Sequence, residues 1–216
     1  VDSGDRGGEP WAGRAFEMDP SQMERGGRAV KAAHLTLRYQ DQTVLSDLTM
    51  ALPDEGITLL TGPSGVGKTT LLRVFAGLLS PDEGTVSVPG RPVMLFQEDR
   101  LFPRCTVRKQ VEAVLPGERR EEALRWLELV ELSEAADKLP GELSGGMARR
   151  AALARALAVE GEVWLLDEPF AGVDPQRAER ILKRLKELDR PILLTGHAPG
   201  LEMLCDRVAA LPGERG

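Results

Sequence analysis

The chain has 216 residues, 42% apolar and 29% charged, a size and balance that suit one large soluble α/β domain with its own core. A net charge of -6 excludes nucleic-acid binding driven by overall charge, though not a local basic patch. Cys105 and Cys205 are the only cysteines, neither in a metal spacing, and no apolar run approaches the ~18–20 residues that a membrane-spanning helix needs. With no signal-peptide h-region either, the expectation is a cytosolic protein with reduced thiols that can still dock on a membrane protein. Asparagine is absent and arginine far outnumbers lysine. Biased genomic base composition would produce both patterns, and avoidance of thermolabile amides would produce the first.

Residues 1–28 are rich in Gly, Arg, Asp and Glu without an apolar period, and are expected to be a disordered leader or a remnant of cloning. Leu35, Leu37 and Tyr39 alternate as in a strand, and Val44 to Leu52 reads as a second. Ile57 to Thr61 is a short apolar strand that runs into Gly62-Pro63-Ser64-Gly65-Val66-Gly67-Lys68-Thr69. This is the G-x-x-x-x-G-K-[ST] phosphate-binding loop in the context it needs, after a strand and before a helix. Its glycines let backbone N–H groups wrap phosphates, Lys68 is expected to reach the β- and γ-phosphates, and the Thr69 hydroxyl to ligate Mg²⁺. Ser64 and Thr70 can add hydroxyl contacts. The motif alone marks a P-loop NTPase and no more.

Lys68 to Leu79 is expected to be helical and stopped by Pro81, with strands at Thr85–Val88 and Val93–Phe96. Thr106–Leu115 and Glu118–Leu132 read as helices separated by Pro116-Gly117, the second with Leu124, Leu127 and Val130 on one face and a charge run read as a solvated face. Leu143-Ser144-Gly145-Gly146-Met147 then leads into a helix-forming run, Ala148 to Val159. Ser144 is a candidate N-cap, and the two glycine amides sit at the positive end of a helix, where unpaired N–H groups bind anions. The same five residues would serve equally as an ordinary cap. The helix-only stretch is expected to form a subdomain of about 104–160 beside the sheet.

Val163-Trp164-Leu165-Leu166 is a continuous apolar run ending in Asp167-Glu168, as expected of a parallel strand buried on both faces. Ligands gather at the carboxyl ends of such strands, so both acids should face the phosphate loop. Asp167 is expected on the Mg²⁺ side, through water, and Glu168 to orient and polarise the attacking water. A helix Pro175–Leu188, a strand Pro191–Thr195, a helix around Leu201–Cys205 and a strand Arg207–Leu211 complete an alternation that indicates a parallel sheet with crossovers.

The order of these motifs, phosphate loop, Leu-Ser-Gly-Gly, then Asp-Glu strand, resembles the ATP-binding cassette (ABC) ATPases, the motor subunits of ABC transporters, from about Val30 to Leu211. The resemblance implies a P-loop NTPase parallel-sheet core with an antiparallel β subdomain and an α-helical subdomain, in a domain spanning 29–216. It implies that Tyr39 stacks on adenine and that Gln97 is the Q-loop glutamine, which touches Mg²⁺ or the attacking water. Asp174 would be the acid of the D-loop Phe170-Ala171-Gly172-Val173-Asp174, and His197 the switch histidine at the γ-phosphate. The blander alternatives are a strand-face tyrosine, a solvated loop glutamine and a structural histidine. His34 has no role on either reading. The resemblance further implies that two cassettes pack head to tail. Ser144, Gly145 and Gly146 of one would close on the ATP held by the other, in a second copy of the chain. Transmembrane permease subunits are the other partners, with a solute-binding protein added if the direction is import. The expected location is the inner face of the cell membrane.

The chain departs from the family's pattern at three places. Met147 stands where Gln is commonest, Gly196 where Thr is usual before the histidine, and Ala198 where an acid is common. The segment Gln97–Pro103 and the Met147 motif look similar to ATPases of nitrate, sulfonate and taurine importers. A competing reading is a soluble ABC ATPase acting on macromolecules, but this chain has neither a long coiled-coil insertion nor a second cassette. A GTP switch would need Asn-Lys-x-Asp, which a chain without asparagine cannot supply. A non-catalytic nucleotide-binding module would need Glu168 to be inert.

Overall fold

The computed structural model describes residues 29–40, 42–117, 119–197 and 200–211; the leader expected at 1–28 and the departure at Ala198 lie outside them. Strands β1 (Lys31–Tyr39), β2 (Gln42–Ala51) and β4 (Glu83–Ser87) form an antiparallel sheet in the order β2-β1-β4. Strands β3 (Ile57–Thr61), β5 (Pro92–Leu95), β6 (Val163–Leu166), β7 (Ile192–Thr195) and β8 (Arg207–Ala210) form a sheet ordered β5-β6-β7-β3-β8, parallel at every pairing.

The central strands are apolar throughout because both faces are covered. Successive side chains point to opposite sides, so each strand feeds two cores. Trp164 and Leu166 of β6, Ile192 and Leu194 of β7, and Ile57 and Leu59 of β3 join one cluster. Val163, Leu165, Leu193 and Leu60 join the other. The second cluster is shared with helix α1 (Lys68–Phe75) and the antiparallel sheet. The first is shared with α2 (Val107–Glu112), α3 (Arg120–Leu129), α4 (Gly145–Leu157) and α5 (Pro175–Lys186). A last short helix, α6 (Leu201–Leu204), precedes β8. Each fully buried leucine contributes roughly 1.5–3 kcal/mol.

Two local expectations are corrected. Helix α1 stops at Phe75, not Leu79, and Pro81 is not what stops it. Gly77 at φ 70° turns the chain left-handed, its N–H reaching Val74 O at 3.0 Å while Leu78 N–H reaches Arg73 O at 2.9 Å. This is a Schellman stop, which leaves no further helical turn to form. The charge run at the end of α3 is also not simply a solvated face. Glu131 closes the same kind of stop, at φ 55°, with Leu132 N–H on Leu127 O at 2.8 Å. Its carboxylate is 19% exposed and pairs with Arg177, Arg180 and Arg184 of α5. The Arg180 hydrogen bond, helped by Arg177, draws the Glu131 carboxyl down to about 2. Arg150 and Arg184 cap the last carbonyls of α3 from α4 and α5. Cys105 and Cys205 are both free thiols, and burial pushes Cys205 up to about 11.

Sheet order fixes what can meet at the carboxyl edge. The loops after β5, β6, β7 and β3 lie side by side there, carrying Gln97, Asp167-Glu168, His197 and the phosphate loop in that order.

Candidate active site

The phosphate loop is held from both sides. Gly67 is buried and left-handed at φ 105°, and a β-carbon on it would come 3.0 Å from the Val44 and Leu45 side chains of β2. Glycine is therefore required both by conformation and by the close approach of the antiparallel sheet. Val66 packs into the cluster on the same side. Lys68 is 8% exposed and donates to Gly62 O and Pro63 O, each at 2.8 Å. That ammonium closes the loop's backbone on itself and keeps a positive charge inside it.

Asp167 is 2% exposed and sits at the end of β6. Its two oxygens accept from Thr69 Oγ1 and Thr195 Oγ1, each at 2.8 Å. The carboxylate thus ties the start of α1 to the ends of β6 and β7. Thr195 also accepts from Glu168 N–H at 2.9 Å. Glu168 adopts φ 53°, rare for a residue with a side chain, and its carboxylate lies 3.4 Å from His197 Nε2. Ser64, Gly65, Gly67, Lys68, Thr69, Thr70, Gln97, Asp167, Glu168 and His197 line one open cavity of about 240 Å³.

The Thr69 hydroxyl, Asp167 carboxylate and Gln97 amide give that cavity an all-oxygen donor set suited to Mg²⁺. Among the described residues no group of three or more His, Cys, Asp or Glu could hold an ion by itself. Such a site fits an ion shared with phosphate oxygens rather than caged by protein.

The remaining expected residues lie elsewhere. Ser144 and Gly145 are exposed and do not line the cavity. Ser144 is the expected N-cap, its Oγ accepting from Met147 N–H at 3.4 Å. The Met147 side chain packs against the core, so this fifth position fills space and does no polar work. Gly146 has no room for a side chain because the backbone carbonyl of Gly172 lies directly against it. The start of α4 and the turn before α5 are therefore in backbone contact. Asp174 caps α5, accepting from Arg177 N–H at 3.0 Å. Tyr39 is 44% exposed at the hairpin end of β1, paired with Gln42, and does not line the cavity.

The ABC transporter family model matches residues 45–171, more than half of the chain. This chain belongs to the ABC transporter family. The cassette is 42% identical over 193 residues to the aliphatic sulfonates import ATP-binding protein SsuB 1 of Nocardia farcinica, covering 85% of this chain and 78% of that protein. It is 36% identical over 188 residues to the sulfate/thiosulfate import ATP-binding protein CysA of Vibrio vulnificus, covering 77% of this chain and 54% of the relative. It therefore spans about half the length of that second relative. Among solved structures it is similar to the dimeric post-hydrolysis state of the ATP-binding cassette MJ0796 bound to ADP and Pi. The TM-score is 0.76 at 28% identity, with 84% of this chain and 94% of that chain covered. The cassette is accordingly an ATP-binding, ATP-hydrolysing motor subunit of a transporter. Among the described residues no helix is long and apolar enough to cross a membrane.

Sequence reasoning missed two residues of this site. Thr195 holds both Asp167 and Glu168, and its signal was a lone hydroxyl at the end of an apolar strand. Arg149 is 3% exposed and donates to backbone carbonyls around both acids. No motif announces it, because four of its five partners are main-chain carbonyls.

Proposed function

We propose that the cassette hydrolyses Mg²⁺-ATP at an interface between two copies and drives import of a small sulfonate or related sulfur oxyanion through separate permease subunits. The observation that supports it best is the single cavity that combines Lys68, the Thr69–Asp167 pair and the Glu168–His197 pair. Lys68, Ser64, Gly65, Gly67 and Thr70 bind the phosphates, with Gly62, Pro63 and Val66 shaping the loop. Thr69, Asp167 and Gln97 hold the ion, which would neutralise charge on the β- and γ-phosphates when bound. Glu168 aligns the attacking water and takes up its proton as the water oxygen bonds to the γ-phosphorus and ADP leaves, and His197 contacts the γ-phosphate beside it. Tyr39 stacks on adenine from the hairpin that flanks the phosphate loop.

In this reading residues 104–160 act as a helical subdomain. Ser144, Gly145, Gly146 and Asp174 complete the site of a second copy. ATP bound only by the closed pair stabilises closure, and its hydrolysis releases it. The permease keeps the cassette on the inner face of the membrane. A solute-binding protein delivers the cargo, whose class follows that of the sulfonate and sulfate import relatives.

The test is Glu168→Gln. Steady ATP turnover falls at least about 100-fold, and the variant runs as an ATP-dependent dimer in size-exclusion chromatography. Retained turnover would remove Glu168 from the mechanism, and a monomer at high protein concentration with ATP would sink the dimer. Co-purification with a permease whose transport depends on a sulfonate decides the cargo.

A further inference from the structure

Arg149 lies in the second turn of α4, and its planar guanidinium reaches two loops at once. Nε donates to Glu168 O at 2.9 Å, and Nη2 donates to Asp167 O. Nη1 reaches Phe96 O at 2.8 Å, Gln97 O at 3.0 Å and the Asp99 carboxylate at 2.9 Å. Burying a guanidinium is costly unless its donors are matched. Here one carboxylate and four carbonyls match it, and all belong to the two loops that carry Gln97 and Glu168.

Glu168 needs such restraint. Its φ of 53° is unfavourable for a residue with a side chain, and such conformations persist only where the surroundings over-determine them. Thr195 holds its N–H, and Arg149 and Ala171 N–H hold its carbonyl. The next residue, Pro169, has no N–H to add. Without Arg149 the Asp167 carbonyl would lose this partner and Glu168 one of its three backbone bonds, loosening the restraint that aims its carboxylate toward His197.

We propose that Arg149 is a positioning residue for ATP hydrolysis. It holds Glu168 in its left-handed conformation and Gln97 at a fixed distance from it. It also couples both to displacement of α4, the helix whose exposed start is Ser144. This rests on the reading of Glu168 as the residue that activates water.

The experiment compares kcat and KM for ATP in wild type, Arg149→Gln, Arg149→Lys and Glu168→Gln, with fluorescent-nucleotide affinity and thermal midpoint measured for each. Arg149→Gln is expected to lower kcat about 30–100-fold with KM and nucleotide affinity within about threefold, since a small misplacement of a catalytic group costs rate rather than binding. Arg149→Lys keeps the charge beside Asp99 but cannot span both loops, so it restores kcat only in part. Where Arg149→Gln fails to accumulate folded, Arg149→Lys carries the test. Folded Arg149→Lys with kcat within about twofold of wild type overturns the proposal. So does a loss of kcat that is matched by an equal rise in KM and a lowered midpoint. If Glu168→Gln is inactive while the arginine variants are not, only this inference fails. If Glu168→Gln turns over, the reading beneath it fails first.

Discussion

Two helix starts in this cassette are built on the same physics and finished differently. At α1 the N-cap is Gly67, left-handed and without a side-chain cap, so its amides remain free for phosphate. Around them stand a buried lysine, two threonine hydroxyls and the walls of a cavity. At α4 the N-cap is Ser144, whose own oxygen already takes the Met147 N–H, and Ser144 and Gly145 face open solvent. A dipole end in open solvent is worth only about 0.3–1 kcal/mol to an anion, too little to hold a nucleotide alone. The difference teaches that one start is a site by itself and the other an exposed surface, which in the proposed pair would become a site only when a second copy supplies the phosphate.

The largest effect that could break this contrast is at α1. Lys68→Ala removes the charge and both loop-closing bonds, and nucleotide affinity should fall about 100-fold, near 3 kcal/mol, by equilibrium titration. Loss of less than about threefold would make the first start as dispensable as the second. Next comes Ser144→Arg, which should leave nucleotide affinity of the isolated chain within about twofold while lowering turnover about 30-fold and abolishing the ATP-dependent dimer of Glu168→Gln. Weaker nucleotide binding by the monomer would mean that both starts serve one ligand within one chain.

The smallest effect concerns how the exposed start is carried. Glu131 ties the end of α3 to α5 through its carboxylate, while Arg150 of α4 caps the Val130 and Glu131 carbonyls. Its folded carboxyl lies at about 2 against an ordinary 4.5, so the ionised form is favoured by folding. The stabilisation is complete above about pH 4.5 and is lost as pH falls from there toward 2. The arginines are partly exposed and screened, so Glu131→Gln should cost roughly 1–2 kcal/mol at pH 7 by chemical denaturation. The gap to wild type should narrow between pH 5 and pH 3; a gap independent of pH would assign the loss to packing.

Much of the site was legible because its chemistry is written at fixed offsets. Lys68 and Thr69 follow their glycines, and Asp167-Glu168 ends an apolar strand; sheet order then brought them together with Gln97 and His197. The end of α1 was misread because a left-handed glycine outranks a proline further along. Arg149 and Thr195 were invisible for another reason. Their partners are carbonyls, an amide and two carboxylates, and those lie 18 to 53 residues away for Arg149 and 27 or 28 for Thr195, so only the fold pairs them. Glu131 looked like part of a solvated run because its three arginines lie on a helix far along the chain.

The direct contact of the Gly146 backbone with Gly172 has a consequence for cooperativity. With no side chain between them, a displacement of the turn that starts α4 would be passed directly to the turn that leads to Asp174. In the proposed pair each copy would therefore present one inflexible stamp to the other. By symmetry the two stamps would engage together, so occupancy of one ATP site would raise the affinity of its twin. Turnover would then rise with ATP with a Hill coefficient above one, although the two sites share no ligand.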